Sequence, residues 1–339
     1  MSSTTSPHIA ADPQPPRPVS LRWHSLDVLK GLALWAMIAH HINDWAGGRV
    51  RDRFWGFDHF VVTDLAAPMF GLALGAAAVV VGSRISRAAD LTKPVWRWAQ
   101  IFLVGVAIDF ATHHGRVEGR GVLPTLALVG LMIMLLVAAG LRSPWAWWLV
   151  AVGCVLLSVP ATRVAGDSFV VLLIGGPFAL PVYGVFGAAG AAVAAHALGQ
   201  PERALPLWRS AVGVLGVGLL LLEVDRGGVA PGGVWPPTRY PGHLDFTLWG
   251  LVATLVLWAV AREVLKPGHA AAEAVARAGR RTLLVFAAHF VVRIALQRTH
   301  LIGDLDTWRW GVVVWAGVIA LCALATIPRP SYRGRNIVT

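Results

Sequence analysis

Charged residues are scarce in this chain. Asp, Glu, Lys and Arg together make up 14% of its 339 residues, whereas a typical soluble domain has about 25%. Hydrophobic residues make up 56%, and apolar runs of roughly 20 residues recur along the whole length. The composition therefore excludes a large soluble domain and predicts an all-α, polytopic integral membrane protein.

Cysteine is nearly absent as well. Cys154 and Cys322 each lie inside an apolar run, and their spacing offers neither a disulfide framework nor a set of metal ligands. Both are expected to be small buried apolar side chains, and no metal is expected. Residues 1–20 are rich in Pro and Ser and lack the apolar core of a signal peptide, which predicts a disordered cytoplasmic tail.

The apolar runs predict about ten membrane-spanning helices in a single transmembrane domain over residues 21–328, followed by a basic cytoplasmic tail at 329–339. The sixth span is interrupted by Gly and Pro and could begin with a short re-entrant piece that lines a cavity. No internal repeat is visible. The predicted spans are 25–46, 60–82, 95–113, 122–141, 144–161, 175–198, 205–224, 244–265, 281–298 and 308–327.

Lys and Arg are unequally divided between the two sides of such a bundle. With ten spans both termini share a side, and that side holds more of the basic residues. Because basic loops are retained in the cytoplasm, we expect both termini there and the loop at 47–59 outside, as in a bacterial inner (plasma) membrane protein. The net charge of +11 suits basic loops beside anionic lipid, and it also suits a phosphate-bearing cofactor from the cytoplasm.

Four polar residues share one face of the first span. Asp27, Lys30, His41 and Asp44 fall within about 100° of one another, and His41 lies about 16 Å above Lys30 along the helix. Charges that face lipid cost several kcal/mol. This polar stripe is therefore predicted to face a polar cavity or other polar helices.

Other spans also contain ionisable residues at membrane depth. These are Asp64 in the second span, Asp109 and His113 in the third, and His289 and Arg293 in the ninth. Such residues mark functional sites unless they form a structural network, as Asp27 could with Lys30. His41 and His289 are the stronger candidates, because a neutral imidazole takes and returns a proton near pH 7.

Four short patterns follow one another along the chain. They are Arg22, Leu26-Asp27, Lys30-Gly31-Leu32-Ala33, Met37 and His41; then Asp64, Leu65, Pro68, Phe70 and Gly75; then Gly121-Val122-Leu123; and last Gly279, Thr282, Leu283, Phe286 and His289. In this order they resemble the heparan-α-glucosaminide N-acetyltransferase family, which includes a lysosomal transmembrane enzyme and many bacterial relatives.

The resemblance implies an acyltransferase. Members of the family take an acyl group, usually acetyl, from coenzyme A on the cytoplasmic side and deliver it to an acceptor, typically a sugar, on the far side. Acetyl-CoA or another acyl-CoA is then the co-substrate. The implied partners are a glycan or small-molecule acceptor and membrane lipid, with a homodimer left open and no nucleic acid expected. The rival interpretation is a proton-coupled transporter or flippase with an intramembrane Asp/His/Arg relay.

Catalysis in this family is placed on a polar residue of the first helix and on a His that follows it. The family's Asn falls on or beside His41, and its usual His-x-x-Trp-x-Gly pattern is absent here, so His40, His41 and His59 all stay candidates. We expect His41 to be the general base, oriented by Asp44 or Asn43.

The remaining site residues are expected at the two ends of the stripe. His289 would assist the base or bind substrate. Cofactor-binding residues at the cytoplasmic mouth, where cations would hold the coenzyme's phosphates, are expected to be Lys30, Arg97, Asp27, Arg280 and Arg281. Substrate-binding residues are expected to be Asn43, Asp64, Asp109 and Arg293.

Overall fold

The structure is a computed structural model that describes residues 23–45, 65–112, 122–161, 179–198, 200, 204–225 and 244–298. Its regular structure in these residues is helical throughout, and a 3₁₀ turn at Ala88–Leu91 joins the second helix to the third. The α-helices are α1 (His24–Trp45), α2 (Ala66–Gly82), α3 (Thr92–Thr112), α4 (Val122–Ala138), α5 (Pro144–Ala161), α6 (Leu180–His196), α7 (Leu207–Asp225), α8 (Leu244–Val264), α9 (Ala270–Arg280) and α10 (Thr282–Arg298).

Helices α1 to α8 and α10 fall on nine of the predicted spans. Helix α3 begins at Thr92 and not at 95, and α4 stops at Ala138 and not at 141. Gly140 takes a φ of 108°, and the N–H of Leu141 donates to the carbonyl of Leu136, which closes the helix with a Schellman motif. Residues 60–64 of the second span and the tenth span at 308–327 lie outside the described residues, as does the start of the sixth span, so the re-entrant piece stays a prediction.

Helix length and hydropathy support membrane insertion unevenly. The segment Phe246–Val264 of α8 is long and apolar enough to cross a membrane. Other described helices are apolar but shorter, namely Ala66–Gly82, Val122–Ala138, Pro144–Ser158, Leu180–His196 and Thr282–Val291. The all-α class is confirmed for the described part of the chain, and the count of ten spans stays a prediction.

Helix α9 is absent from the sequence-based prediction. It has 11 residues and buries Ala272, Ala276 and Gly279, while Arg277 on its opposite face is exposed. A helix that is short and polar on one face gives no bilayer-length apolar run, which is why hydropathy misses it. The spacing of its alanines at i and i+4 is the signal that predicts an amphipathic helix here.

Two glycines let α9 lie directly on α1. A Cβ on Gly279 would collide with the carbonyl oxygen of Asp27, and a Cβ on Gly31 would collide with that of Val275. The two backbones are therefore in contact, as small residues permit between membrane helices. This contact fixes where α10, which begins two residues after α9, rises beside α1.

Contacts near the helix ends show that neighbouring helices run in opposite directions. Near the end of α8, Nη1 of Arg262 donates to the carbonyl oxygen of Leu205, just before α7, at 2.9 Å. The ring centroid of Trp145 at the start of α5 lies 6.2 Å from that of His196 at the end of α6. Helices α5 and α6 are therefore antiparallel, and so are α7 and α8, as consecutive spans are.

A buried hydrogen bond places the start of α1 beside the second half of α8. Nε1 of Trp258 donates to Oγ of Ser25 at 2.7 Å. The starts of α1 and α7 and the end of α8 therefore lie at one end of the bundle, and α9 crosses α1 there. We call this the basic end, after Lys30, Arg262, Arg277, Arg280 and Arg281.

Candidate functional site

The fold joins two histidines that are 248 residues apart in the sequence. Nδ1 of His41 lies 2.8 Å from Nε2 of His289, which is hydrogen-bonding distance. The two rings are nearly parallel, with an interplanar angle of 12° and centroids 5.1 Å apart. His41 comes from the last third of α1 and His289 from α10. The two best histidine candidates of the sequence therefore form one pair.

Aromatic side chains of α10 surround this histidine pair. Phe286, His289 and Phe290 are three and four residues apart, so they share one face of the helix. The ring of Phe290 lies edge-on to His41, and that of Phe286 lies edge-on to His289, each with centroids 5.1 Å apart. His289 is 1% exposed, whereas His41 is only partly buried. One imidazole is thus enclosed, and the other reaches the edge of the enclosure.

His40 lies next to the pair and does not form it. Its ring centroid is 5.9 Å from that of His41, and the two rings are tilted by 60°. Consecutive helical residues differ in direction by about 100°, which explains why His41 and not His40 makes the hydrogen bond with His289.

A cluster of charged side chains occupies the basic end of the stripe on α1. Asp27 is 4% exposed, and its Oδ1 lies 2.7 Å from Nζ of Lys30. Its Oδ2 lies 4.0 Å from Nη1 of Arg280. Glu273 links the cluster further, 3.8 Å from Arg280 and 3.6 Å from Nδ1 of His24. The structural pairing of Asp27 with Lys30 is therefore confirmed.

This charged cluster is close to electrically balanced. Lys30 and Arg280 contribute two positive charges, and Asp27 and Glu273 contribute two negative ones. A phosphate bound at this point would share its cations with two carboxylates. The expectation that Lys30 and Arg280 bind a coenzyme thus stays a prediction. The carboxylates of Asp27 and Glu273 would compete with its phosphates for these two cations.

The stripe between the two clusters is buried against protein. Leu34 and Met37 are 2% and 5% exposed. Fourteen residues separate Asp27 from His41, which corresponds to about 21 Å along the helix. The charged cluster and the histidine pair are therefore the two ends of one protein-facing surface of α1.

The other predicted site residues that the structure describes lie outside α1. Arg97 is exposed on α3, Arg281 is partly buried at the junction of α9 and α10, and Asp109 is 3% exposed near the end of α3. In the described residues no group of three or more His, Cys, Asp or Glu could hold a metal ion. The structure does not describe His59 and Asp64, nor the side chains of Asn43, Asp44 and Arg293.

Sequence reasoning missed two members of the charged cluster. His24 lies three residues before Asp27 and so continues the polar stripe toward the basic end. Glu273, the second missed member, lies on the unpredicted helix α9, seven residues before Arg280 and on the same face. A search of 270–280 for amphipathic periodicity gives this signal.

Comparison with protein families gives one match. The family model described as heparan-alpha-glucosaminide N-acetyltransferase, catalytic, matches residues 22–183. The matched segment spans 162 of the 339 residues, just under half of the chain. It agrees with the resemblance found in the sequence and suggests an acetyltransferase-type function. No curated protein matches the chain in sequence.

The matched part of the N-acetyltransferase-like chain contains α1 to α5 and the first turn of α6. His41 and the Asp27–Lys30 pair lie inside it. His289 and α9 lie beyond it. The histidine pair therefore joins a residue of the matched region to one outside it.

Proposed function

We propose that the chain is a membrane-embedded acyltransferase. It would move an acyl group, acetyl in the first instance, from cytoplasmic acyl-CoA to a hydroxyl or amine of a sugar or another acceptor at or across the membrane. The observation behind the proposal is the hydrogen-bonded pair of His41 and His289, at the far end of the polar stripe. An acetyltransferase family match and a paired, partly accessible imidazole together favour base-assisted acyl transfer.

The proposed reaction needs one base. Nε2 of His41 removes the proton from the acceptor O–H or N–H while the acceptor oxygen or nitrogen attacks the thioester carbonyl carbon. The C–S bond breaks, and the coenzyme thiolate takes the proton back from the imidazolium of His41. The products are the acylated acceptor and free coenzyme A. General-base assistance contributes about 10²–10⁴-fold, or roughly 3–5 kcal/mol of the barrier.

The donor would pass beside the stripe on α1 and not along it, because Leu34 and Met37 in the middle of the stripe are buried against protein. Acyl-CoA would enter at the basic end, where Lys30, Arg97, Arg280 and Arg281 offer cations to its phosphates. Its thioester would extend toward His41. Asp27 would hold Lys30 and Arg280 in place, and Asp109, Asp64, Asn43 and Arg293 stay candidates for contact with the acceptor.

Membrane placement of the bundle is supported by its surface. Trp96, Trp145 and Trp208 are 58%, 71% and 47% exposed and lie in the first two turns of α3, α5 and α7. Exposed tryptophans near helix ends are typical of a membrane interface. Leu149 and Leu156 on α5 are 73% and 66% exposed, as lipid-facing residues are. We place the basic end and both termini in the cytoplasm.

The test uses purified full-length protein in detergent. Acetyl-CoA should be hydrolysed or consumed with an acceptor, and it should raise the thermal midpoint of the protein. His41→Ala should stay folded and bind acetyl-CoA, yet lose about 10²-fold or more in acyl transfer. His269→Gln is the matched control, because His269 is an exposed histidine that makes no side-chain cap to α9.

Two results would redirect the proposal. If His41→Asn keeps near-normal activity while His59→Ala loses it, His59 is the base and His41 only a positioning group. If acetyl-CoA causes neither turnover nor thermal protection, and proteoliposomes show proton-coupled flux that His41→Ala abolishes, the chain is a transporter. The histidine pair would then serve a proton relay.

A further inference from the structure

The hydrogen bond between the two imidazoles limits which tautomers can coexist. A bond between two neutral rings needs one N–H and one lone pair, so either Nδ1 of His41 or Nε2 of His289 carries the hydrogen. If His289 donates, Nε2 of His41 carries a hydrogen and cannot act as a base. If His41 donates through Nδ1, its Nε2 keeps a lone pair. Only this second arrangement is competent for general-base catalysis.

Burial assigns different roles to the two rings. His289 is 1% exposed and lies against Phe286 and Phe290, whereas His41 is only partly buried. A charge costs more in an enclosed apolar environment than in one that reaches polar surroundings. A proton taken from the acceptor is therefore more stable on His41, and His289 stays neutral.

We infer that His289 is a positioning residue for His41. By accepting the Nδ1–H through its own Nε2, it holds His41 in the tautomer whose Nε2 is basic, and it stabilises the imidazolium that forms. This inference rests on the proposed acyl transfer. It gives His289 the orienting role that the sequence assigns to Asp44 or Asn43, and that a buried carboxylate has in a Ser-His-Asp triad.

The geometry also indicates where the acceptor binds. Nδ1 and Nε2 of an imidazole point in different directions, so the basic nitrogen of His41 is directed away from His289. The acceptor would approach from the side of His41 that is opposite His289. The aromatic face of α10 would exclude water from the hydrogen bond without contacting the reacting atoms.

Two replacements of His289 separate positioning from proton transfer. His289→Gln keeps an amide oxygen near the position of Nε2, so it can still accept the Nδ1–H, but it cannot hold a proton. His289→Phe keeps a ring of similar size among the phenylalanines and removes the acceptor. His289→Leu is a second apolar variant in case the Phe variant does not fold, and His269→Gln is again the control.

The measurements are kcat, KM for acetyl-CoA, thermal midpoint and the pH–rate profile of full-length protein in detergent. We expect the apolar variant to lose about 10²-fold or more in kcat with KM changed less than about threefold; loss of the correct tautomer in the Ser-His-Asp triad costs about 10⁴-fold. The kcat of the Gln variant should lie within about tenfold of the wild-type kcat. Its pH–rate profile should keep the ascending limb.

Three outcomes would overturn the inference alone. The first is a wild-type kcat in the apolar variant. The second is an equal loss of kcat in the Gln and apolar variants, which would make His289 a proton carrier. The third is a raised KM with unchanged kcat, which would make His289 a binding residue. A wild-type protein without acyl-CoA turnover would overturn the proposed function, and this inference with it.

Discussion

Substituting Gly279 by Ala should disturb the histidine pair from a distance. The new Cβ would collide with the carbonyl oxygen of Asp27 on α1, and backbone cannot move aside as a flexible side chain can. Ordinary Cβ contacts lie at 3.4–4 Å, so α9 must retreat from α1 by more than about 1.5 Å. Overpacking of this kind typically costs about 1–3 kcal/mol, and the apparent thermal midpoint should fall by several degrees.

The same displacement should also reduce activity. Helix α10 begins two residues after α9, so His289 moves when α9 moves, and the 2.8 Å bond to His41 has little tolerance. A 1 Å misplacement of a catalytic arrangement can cost about 10²-fold. We expect Gly279→Ala to lower both the thermal midpoint and kcat for acetyl-CoA turnover, measured on the same purified preparation.

Gly216→Ala is the matched control for this substitution. Gly216 lies in α7, and a Cβ added there meets no atom within 4 Å. Ala in an open helical position is favoured over Gly by about 0.5–1 kcal/mol, so this variant should be as stable as the wild type or slightly more stable. If Gly279→Ala behaves like Gly216→Ala in both assays, α9 does not lie directly on α1, and the argument fails.

Three other predictions concern the basic end and the topology. Asp27→Asn should lower the thermal midpoint by leaving Lys30 with a weaker partner, and adding Lys30→Met should restore part of the loss; no recovery in the double variant would contradict the ion pair. Arg97→Ala should weaken binding of coenzyme A more than of dephospho-coenzyme A by calorimetry, and equal affinities would exclude this placement. A cysteine replacing Val50 should react with impermeant reagent in whole cells while one replacing Arg335 stays protected, and the reverse labelling pattern would contradict cytoplasmic termini.

The long helices were predictable because bilayer-length apolar runs leave the backbone few alternatives to a helix. Some helix ends differ from those predicted because of local backbone geometry, as at the positive φ of Gly140 after α4. Helix α9 was not predictable from hydropathy, since its buried face consists mainly of alanine and its other face is charged. Its place on α1 depends on the contact between Gly279 and Asp27, which hydrophobic periodicity does not encode.

The candidate site was predictable as a set of residues but not as an arrangement. His41 and His289 stood out because ionisable groups at membrane depth are costly, a property of each position by itself. Their hydrogen bond depends on how α10 rises beside α1, which is a tertiary property. The pairing of Asp27 with Lys30 was foreseeable because both residues lie within one helix turn. The pairing of Asp27 with Arg280 was not, because it depends on how α9 packs on α1.

The histidine pair also decides how this protein can be divided. The region that matches the catalytic-domain family model ends at residue 183, and His289 lies more than 100 residues beyond it. A recombinant fragment ending at Tyr183 would contain His41, the proposed base, and lack His289, the ring proposed to hold it. Activity should return only when the rest of the chain, from residue 184 onward, is expressed separately and inserts beside it. Split-protein complementation, rather than domain truncation, is thus the suitable route to a minimal active form.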